Sequence, residues 1–160
     1  MKKIIVTGGL GFIGSNLIDL LLKNNYRVLN IDKVTYSSNF YNTKEFKNDK
    51  KYKFVKCDIK DKRIKNIIFS FRPDCIFNLA AETHVDRSID SPENFIQSNI
   101  LGVYNLLEVF RSYSKNHYCK LIHISTDEVY GDVLKGRSSE DYPYNPSSPY
   151  AASKAASDHL

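Results

Sequence analysis

No apolar run in the sequence approaches the ~20 residues of a membrane-spanning helix, so no membrane partner is expected. Internal repeats and low-complexity blocks are also missing, and 160 residues are the length of one domain able to bury a core. Cysteine is scarce. Cys57, Cys75 and Cys119 are odd in number and form no ligand-like cluster, which argues against a disulfide framework or a metal site and fits free thiols in a reducing cytoplasm. The net charge of +5 comes from lysines scattered among acids, with no nucleic-acid motif, so the expectation is a solvated basic surface suited to an anionic substrate. The opening MKKIIVTGG reaches its glycines too soon for a signal peptide and reads as a strand.

What is present is an alternation of strand-length apolar runs with segments of helical period. Strands are expected at Lys3–Thr7, Arg27–Ile31, Tyr52–Cys57, Cys75–Leu79 and Leu121–Ser125, where Leu121, Ile122 and Ile124 look like buried sheet. Helices are expected at about Phe12–Asn24, Lys62–Phe71 and Pro92–Lys115, with a last one from near Pro149. Ser91 and Ser148, each before a proline, read as helix caps. Val34–Lys51 and Gly131–Ser147 are polar and turn-rich and read as surface loops. The pattern is α/β, a Rossmann-like doubly wound parallel sheet covered by helices on both faces.

The first strand runs straight into Gly8, Gly11 and Gly14 and then a helix. Such a turn gathers backbone N–H groups and the positive end of a helix dipole where a pyrophosphate can sit, provided no side chains intrude. A carboxylate, Asp32, closes the second strand near the ~20-residue offset of a ribose-binding acid. It would accept hydrogen bonds from both adenosine ribose hydroxyls and repel a 2′-phosphate, so the expected cofactor is NAD rather than NADP.

Tyr150 and Lys154 are four apart at the start of the last helix and so share a face. A neighbouring ammonium and an oxidised nicotinamide would stabilise a phenolate that takes a proton from a sugar hydroxyl. The spacing G-x-x-G-x-x-G and the Tyr-x-x-x-Lys pair resemble the extended short-chain dehydrogenase/reductase family, with Ser125 or Thr126 in place of its usual hydroxyl. Thr126, Asp127 and Glu128 follow the fifth expected strand, at the end of the sheet where ligands bind. For both acids to reach one substrate the backbone must curl there. An acid and a base beyond the redox pair imply a further proton transfer, most naturally an elimination.

The segments TGGLGFIGSNL, IDKVTYSSN, NLAAETHVDRSID, SNILGVYNLLE, ISTDEVYGD and SPYAASKAASDHL together resemble the nucleotide-diphosphate-glucose 4,6-dehydratases across nearly the whole chain, most of all those acting on dTDP-glucose. The Thr-Asp-Glu run discriminates best. Related epimerases generally carry small or hydroxyl residues at the two acidic positions, and GDP-mannose dehydratases lack the aspartate.

The resemblance implies dehydration of dTDP-glucose to a 4-keto-6-deoxy sugar nucleotide with transient reduction of NAD. In it Tyr150 takes the 4-hydroxyl proton, Lys154 lowers the tyrosine pKa and holds the nicotinamide ribose, and Glu128 abstracts the proton at carbon 5. A protonated Asp127 donates to the departing hydroxyl at carbon 6. Thr126 and Thr83, the latter often serine in the family, bind substrate. On the cofactor side the resemblance assigns Phe12 and Ile13 with the glycines, then Lys33 and Thr35 beside Asp32. Asp58 and Ile59 contact the adenine, while Leu79, Ala80, Ala81, Thr83 and Ser98 line the cofactor. His84, Asp86 and Arg87 are either substrate contacts or a network of satisfied loop groups. Ile100, Val103, Leu106, Leu107 and Phe110 form a core-facing stripe, on a helix that with the Tyr150 helix also builds a homodimer in the family.

Family members are about twice this length, so a single NAD-binding domain over residues 1–160, truncated before the substrate-binding portion, is expected. Its activity alone and its preference for dTDP or UDP stay open. The other readings are a nucleotide-sugar epimerase or decarboxylase, a UDP-glucose 4,6-dehydratase, or a non-catalytic NAD-binding module.

Overall fold

Strands β1 (Lys3–Thr7), β2 (Arg27–Asp32), β3 (Tyr52–Lys56), β4 (Cys75–Asn78) and β5 (Lys120–His123) form one parallel sheet in the order β3-β2-β1-β4-β5. The computed structural model describes residues 1–133 and 135–160; Leu134, within the expected loop Gly131–Ser147, lies outside them. Because side chains alternate along each strand, the near-continuous apolar runs feed two cores at once. Ile4, Val6 and Val28 pack with Phe46 under Ile18, Leu21 and Leu22 of α1 (Phe12–Lys23). On the opposite face Ile5, Leu29, Ile31 and Ile76 meet α2 (Arg63–Phe71) and α5 (Val103–Ser114) through Ile64, Ile68, Leu106, Val109 and Tyr113. The strand order reverses at β1 and β4, which opens a crevice at their carboxyl ends.

Several elements differ from the expectation. The strands β3, β4 and β5 stop one or two residues short, at Lys56, Asn78 and His123. On β5 and just past it the apolar residues are not buried as a core strand's would be: Ile122 and Ile124 are 39% and 37% exposed, because β5 has a neighbour on one side only. No helix was expected about His84, Asp86 and Arg87, yet Val85–Asp90 forms α3. Ser91 ends α3 and caps nothing that follows; the next helical run starts at α4 (Glu93–Phe95), passes through a π-helical stretch, Ile96–Gly102, and continues as α5. Such a stretch carries one extra residue per turn and rotates the side chains beyond it. The loop after β2 holds a 3-10 turn, Phe40–Thr43.

The last helix, α6 (Pro149–His159), starts where its sequence says it should. Ser148 Oγ accepts from the Ala151 N–H at 3.0 Å, and Pro149 occupies a first-turn position where no amide is needed. Ser148→Ala is expected to cost about 1 kcal/mol. A lowered denaturant midpoint at unchanged slope would show it.

Candidate active site

A cavity of about 430 Å³ lies at the carboxyl ends of β1, β2 and β4. Gly8, Gly11, Phe12, Ile13 and Gly14 form one wall, and Asp32, Lys33 and Thr35 stand at one end with Asp58 and Ile59. Leu79, Ala80, Ala81 and Thr83 form the floor, and Ser98, Tyr150 and Lys154 close the side. Every residue expected at the cofactor thus meets in one space. Sequence reasoning missed Ile31, Ser37, Ser38, Cys57 and Ile124, which also line it, whereas Ser125 had been named for its hydroxyl. Ile31 and Cys57 are strand-end neighbours of named acids and could have been inferred. The two serines enter through a loop return that no local pattern marks.

The glycine wall fits a pyrophosphate. Gly11 caps α1 without a side-chain bond, so the first-turn amides of Phe12, Ile13 and Gly14 keep the unpaired donors and positive dipole end of a bare helix N-terminus. A Cβ on Gly8 would come within 2.9 Å of the backbone of Leu79 and Ala80, and Gly8 has a φ of +71° besides. Only glycine lets these backbones close up.

Asp32, buried to 6% exposure, is held as an acceptor. Its Oδ2 takes the Leu10 N–H at 3.0 Å, and its Oδ1 takes the Val34 N–H at 2.8 Å and the Ser38 hydroxyl at 2.9 Å. Val34 pays for this turn with a left-handed φ of +64°, unusual for a β-branched residue. A carboxylate has about four acceptor positions, so one on Oδ2 is left for a ligand hydroxyl, not two. Lys33 is committed too: its ammonium lies 3.0 Å from Glu82 and donates to Ser98 Oγ at 2.6 Å.

Across the cavity, Asn99 locks the floor to α6. Its Oδ1 accepts the Glu82 N–H at 2.8 Å, and its Nδ2 donates to the Glu82 carbonyl and to Ser153 Oγ, each at 2.9 Å. The π-helical stretch turns Ser98 into the cavity and buries Asn99 beside it. Nothing in the sequence marked Asn99. His84, Asp86 and Arg87 do not line the cavity; they are exposed on and beside α3, where Arg87 stacks 3.8 Å from the Tyr36 ring centre.

Tyr150 is 7% exposed and Lys154 3%. Burial pushes the phenol above its ordinary range, the Thr126 hydroxyl beside it opposes that, and the Glu128 and Asp127 carboxylates add to it. The charges of both acids thus oppose ionisation of the phenol. The backbone does curl: Asp127–Tyr130 is a 3-10 turn packed on α6, capped by Thr126 Oγ1 accepting from the Glu128 N–H at 3.3 Å. Thr126, Asp127 and Glu128 thus sit on a turn packed against the Tyr150 helix and do not line the cavity itself. The Lys154 ammonium, pushed below the ordinary lysine range by burial, donates to the Ile124 carbonyl at 2.6 Å.

Behind it stands His123, whose pKa falls to about 4, chiefly through burial and then the Lys154 charge, with Asp158 opposing. From pH about 6.5 down to about 4 the unfolded chain binds a proton there that the folded chain refuses. Stability should therefore be full above that window and fall as pH drops through it. Denaturant titrations at stepped pH should show about one proton taken up on unfolding, and His123→Gln should remove that component.

A glycine-walled cavity at the switch point of a parallel sheet, with an acid at the end of its second strand, defines a Rossmann-like nucleotide-binding fold. The family model for GDP-mannose 4,6 dehydratase matches residues 5–160, and the chain belongs to that family. It is 48% identical to a dTDP-glucose 4,6-dehydratase of Haemophilus influenzae over 170 aligned residues, covering 100% of this chain and 50% of that protein. Among solved structures it resembles the dTDP-glucose 4,6-dehydratase DesIV of Streptomyces venezuelae, determined with NAD bound, with a TM-score of 0.91, 38% identity, and coverage of 98% of this chain and 49% of that one. A UDP-glucose 4-epimerase of Thermus thermophilus in complex with NAD gives 0.87 at 36% identity, with the same coverages. The chain spans about half the length of the curated relatives it matches. Among the described residues, no helix is long and apolar enough to cross a membrane.

Proposed function

We propose that this chain binds NAD in the glycine-walled cavity and carries the redox and elimination groups that convert dTDP-glucose to dTDP-4-keto-6-deoxyglucose. The observation that carries the reading is that the glycine-walled cavity ends at the buried Tyr150 and Lys154, and that the turn bearing both carboxylates packs on the helix that carries them. NAD, when bound, takes up a hydride from the sugar and later returns it. The first-turn amides of α1 hold its pyrophosphate, and Asp32 accepts one ribose hydroxyl and repels a 2′-phosphate. Tyr150 receives the proton of the sugar's 4-hydroxyl on its phenolic oxygen, and Lys154 supplies the positive charge that a buried phenolate needs. Glu128 takes the proton at carbon 5, made acidic by the new ketone, and Asp127 protonates the departing hydroxyl at carbon 6. Thr83 and Thr126 hold the sugar. The same reading carries a cytoplasmic location and a homodimer, and the exposure of Leu101 and Tyr104 supports the second of these.

Incubation with NAD and dTDP-glucose tests it. The expected result is NAD bound at least tenfold more tightly than NADP, and a 4-keto-6-deoxy product. Tight NAD binding without keto-sugar would make the chain a cofactor-binding module, and a 4-epimer as product would make it an epimerase.

A further inference from the structure

The last register row of the sheet places three polar side chains in line, Thr7 of β1 beside Asn78 of β4 beside His123 of β5. All three point to the face that carries α5 and α6, and Thr7 and Asn78 are essentially without solvent exposure, at 0% and 1%. Their hydrogen bonds run in one direction. The Ala80 N–H donates to Thr7 Oγ1 at 3.2 Å, so the Thr7 hydroxyl proton is free to go to Asn78 Oδ1, at 2.6 Å. That length belongs to an O–H···O bond, which fixes the Asn78 oxygen toward Thr7 and its amide nitrogen toward His123 Nδ1, 2.9 Å away. With Nδ1 accepting, the ring proton of neutral His123 sits on Nε2.

The surroundings of Nε2 agree. Ser157 Oγ, 3.3 Å from it, spends its own proton on the Lys154 carbonyl at 2.8 Å and can only accept. Asp158 Oδ1 lies 3.6 Å away, while its Oδ2 accepts from the hydroxyls of Ser125 and Tyr144. The Lys154 ammonium, 3.5 Å from Nε2, meets an N–H rather than a lone pair. It turns instead to the Ile124 carbonyl at the cavity wall.

We propose that His123 is a positioning residue for Lys154: Thr7 and Asn78 set its tautomer, and a ring that offers no acceptor commits the lysine ammonium to the cavity wall. The link to catalysis rests on the reading of Lys154 given above, but the tautomer does not. The charged groups facing His123 are Lys154 and Asp158, both on α6, with Tyr144 reaching Asp158 from the preceding loop.

The test is a two-bond proton–nitrogen NMR correlation of the ¹⁵N-labelled chain at pH 7, without ligand. The expected spectrum shows His123 with a protonated Nε2 and a bare Nδ1. Asn78→Asp, which turns the donor into an acceptor, should move the proton to Nδ1 and shift the Lys154 ¹³Cε titration. His123→Gln, which keeps an N–H donor toward Ser157, should leave that titration within a few tenths of a pH unit. A ring protonated on Nδ1 or doubly protonated in the wild type would overturn the proposal, as would a Lys154 titration unmoved by Asn78→Asp in a chain whose amide spectrum stays folded. NAD affinity is then compared between wild type and Asn78→Asp, whose bare Nε2 would draw the ammonium off the cavity wall, with a tenfold loss expected. A wild type with the expected tautomer and Lys154 response but no NAD binding would sink the functional reading alone.

Discussion

Glu128→Gln is expected to lower formation of the 4-keto-6-deoxy product by roughly 10²- to 10⁴-fold, the range for loss of a positioned proton acceptor. The change is nearly isosteric, and Glu128 is exposed on a short 3-10 turn, so stability should move by no more than about 0.5 kcal/mol. NAD affinity should stay within about twofold, since Glu128 is not a wall of the cavity. What the substitution removes is the group that takes the carbon 5 proton. Steady-state product formation with saturating dTDP-glucose, beside an NAD titration of the same preparation, separates the two effects. Keto-deoxy product formed at an undiminished rate would mean that a group other than Glu128 takes the carbon 5 proton, whereas undiminished turnover to a 4-epimer would place the paired acids in an epimerase. Asp127→Asn should fall in parallel, because the departing hydroxyl would lack its proton.

Gly14→Ala should damage the protein in a different way. An added Cβ would stand 2.4 Å from the Gly8 carbonyl oxygen and 2.8 Å from the Gly9 Cα, and both are backbone atoms that cannot rotate aside. The loop must open, at about 1–3 kcal/mol of stability. The amides then leave their places around the anion, and losing one charge-assisted hydrogen bond of ~1.5–3 kcal/mol lowers NAD affinity about 10- to 100-fold. Gly11→Ala is the control, since its Cβ would meet only the Gly8 oxygen at 3.3 Å and its φ of −74° suits any residue. That variant should keep its stability while its methyl group crowds the cavity. Thermal melts and NAD titrations of both variants decide the matter: a Gly14→Ala protein as stable and as tight-binding as wild type would show that this loop is not the phosphate cradle.

The legible parts of the site were those whose chemistry depends on neighbours in sequence. A glycine turn between strand and helix, an acid at a strand end, and a tyrosine four residues before a lysine are local patterns, and each reached the cavity. The unread parts depend on a loop that folds back on itself or on partners far along the chain. Ser38 matters because its hydroxyl bonds Asp32 six residues back through a strained turn at Val34. Asn99 matters because a π-helical stretch delivers it to Glu82 and Ser153. The exposure of Ile122 and Ile124 likewise follows from the place of β5 at the edge, and an edge strand can carry the same apolar letters as a central one.

From its own sequence the chain determined the alternation of strands and helices, the cap of α6, and the residue types at the cavity, because period, turn chemistry and capping act over a few residues. Only the tertiary structure decided that Thr7, Asn78 and His123 share one row behind Lys154, and that the turn carrying Asp127 and Glu128 packs on α6. Those relations arise from strand order and helix docking, where groups tens of residues apart are brought within hydrogen-bond reach by burial of apolar surface that is itself indifferent to the chemistry it aligns.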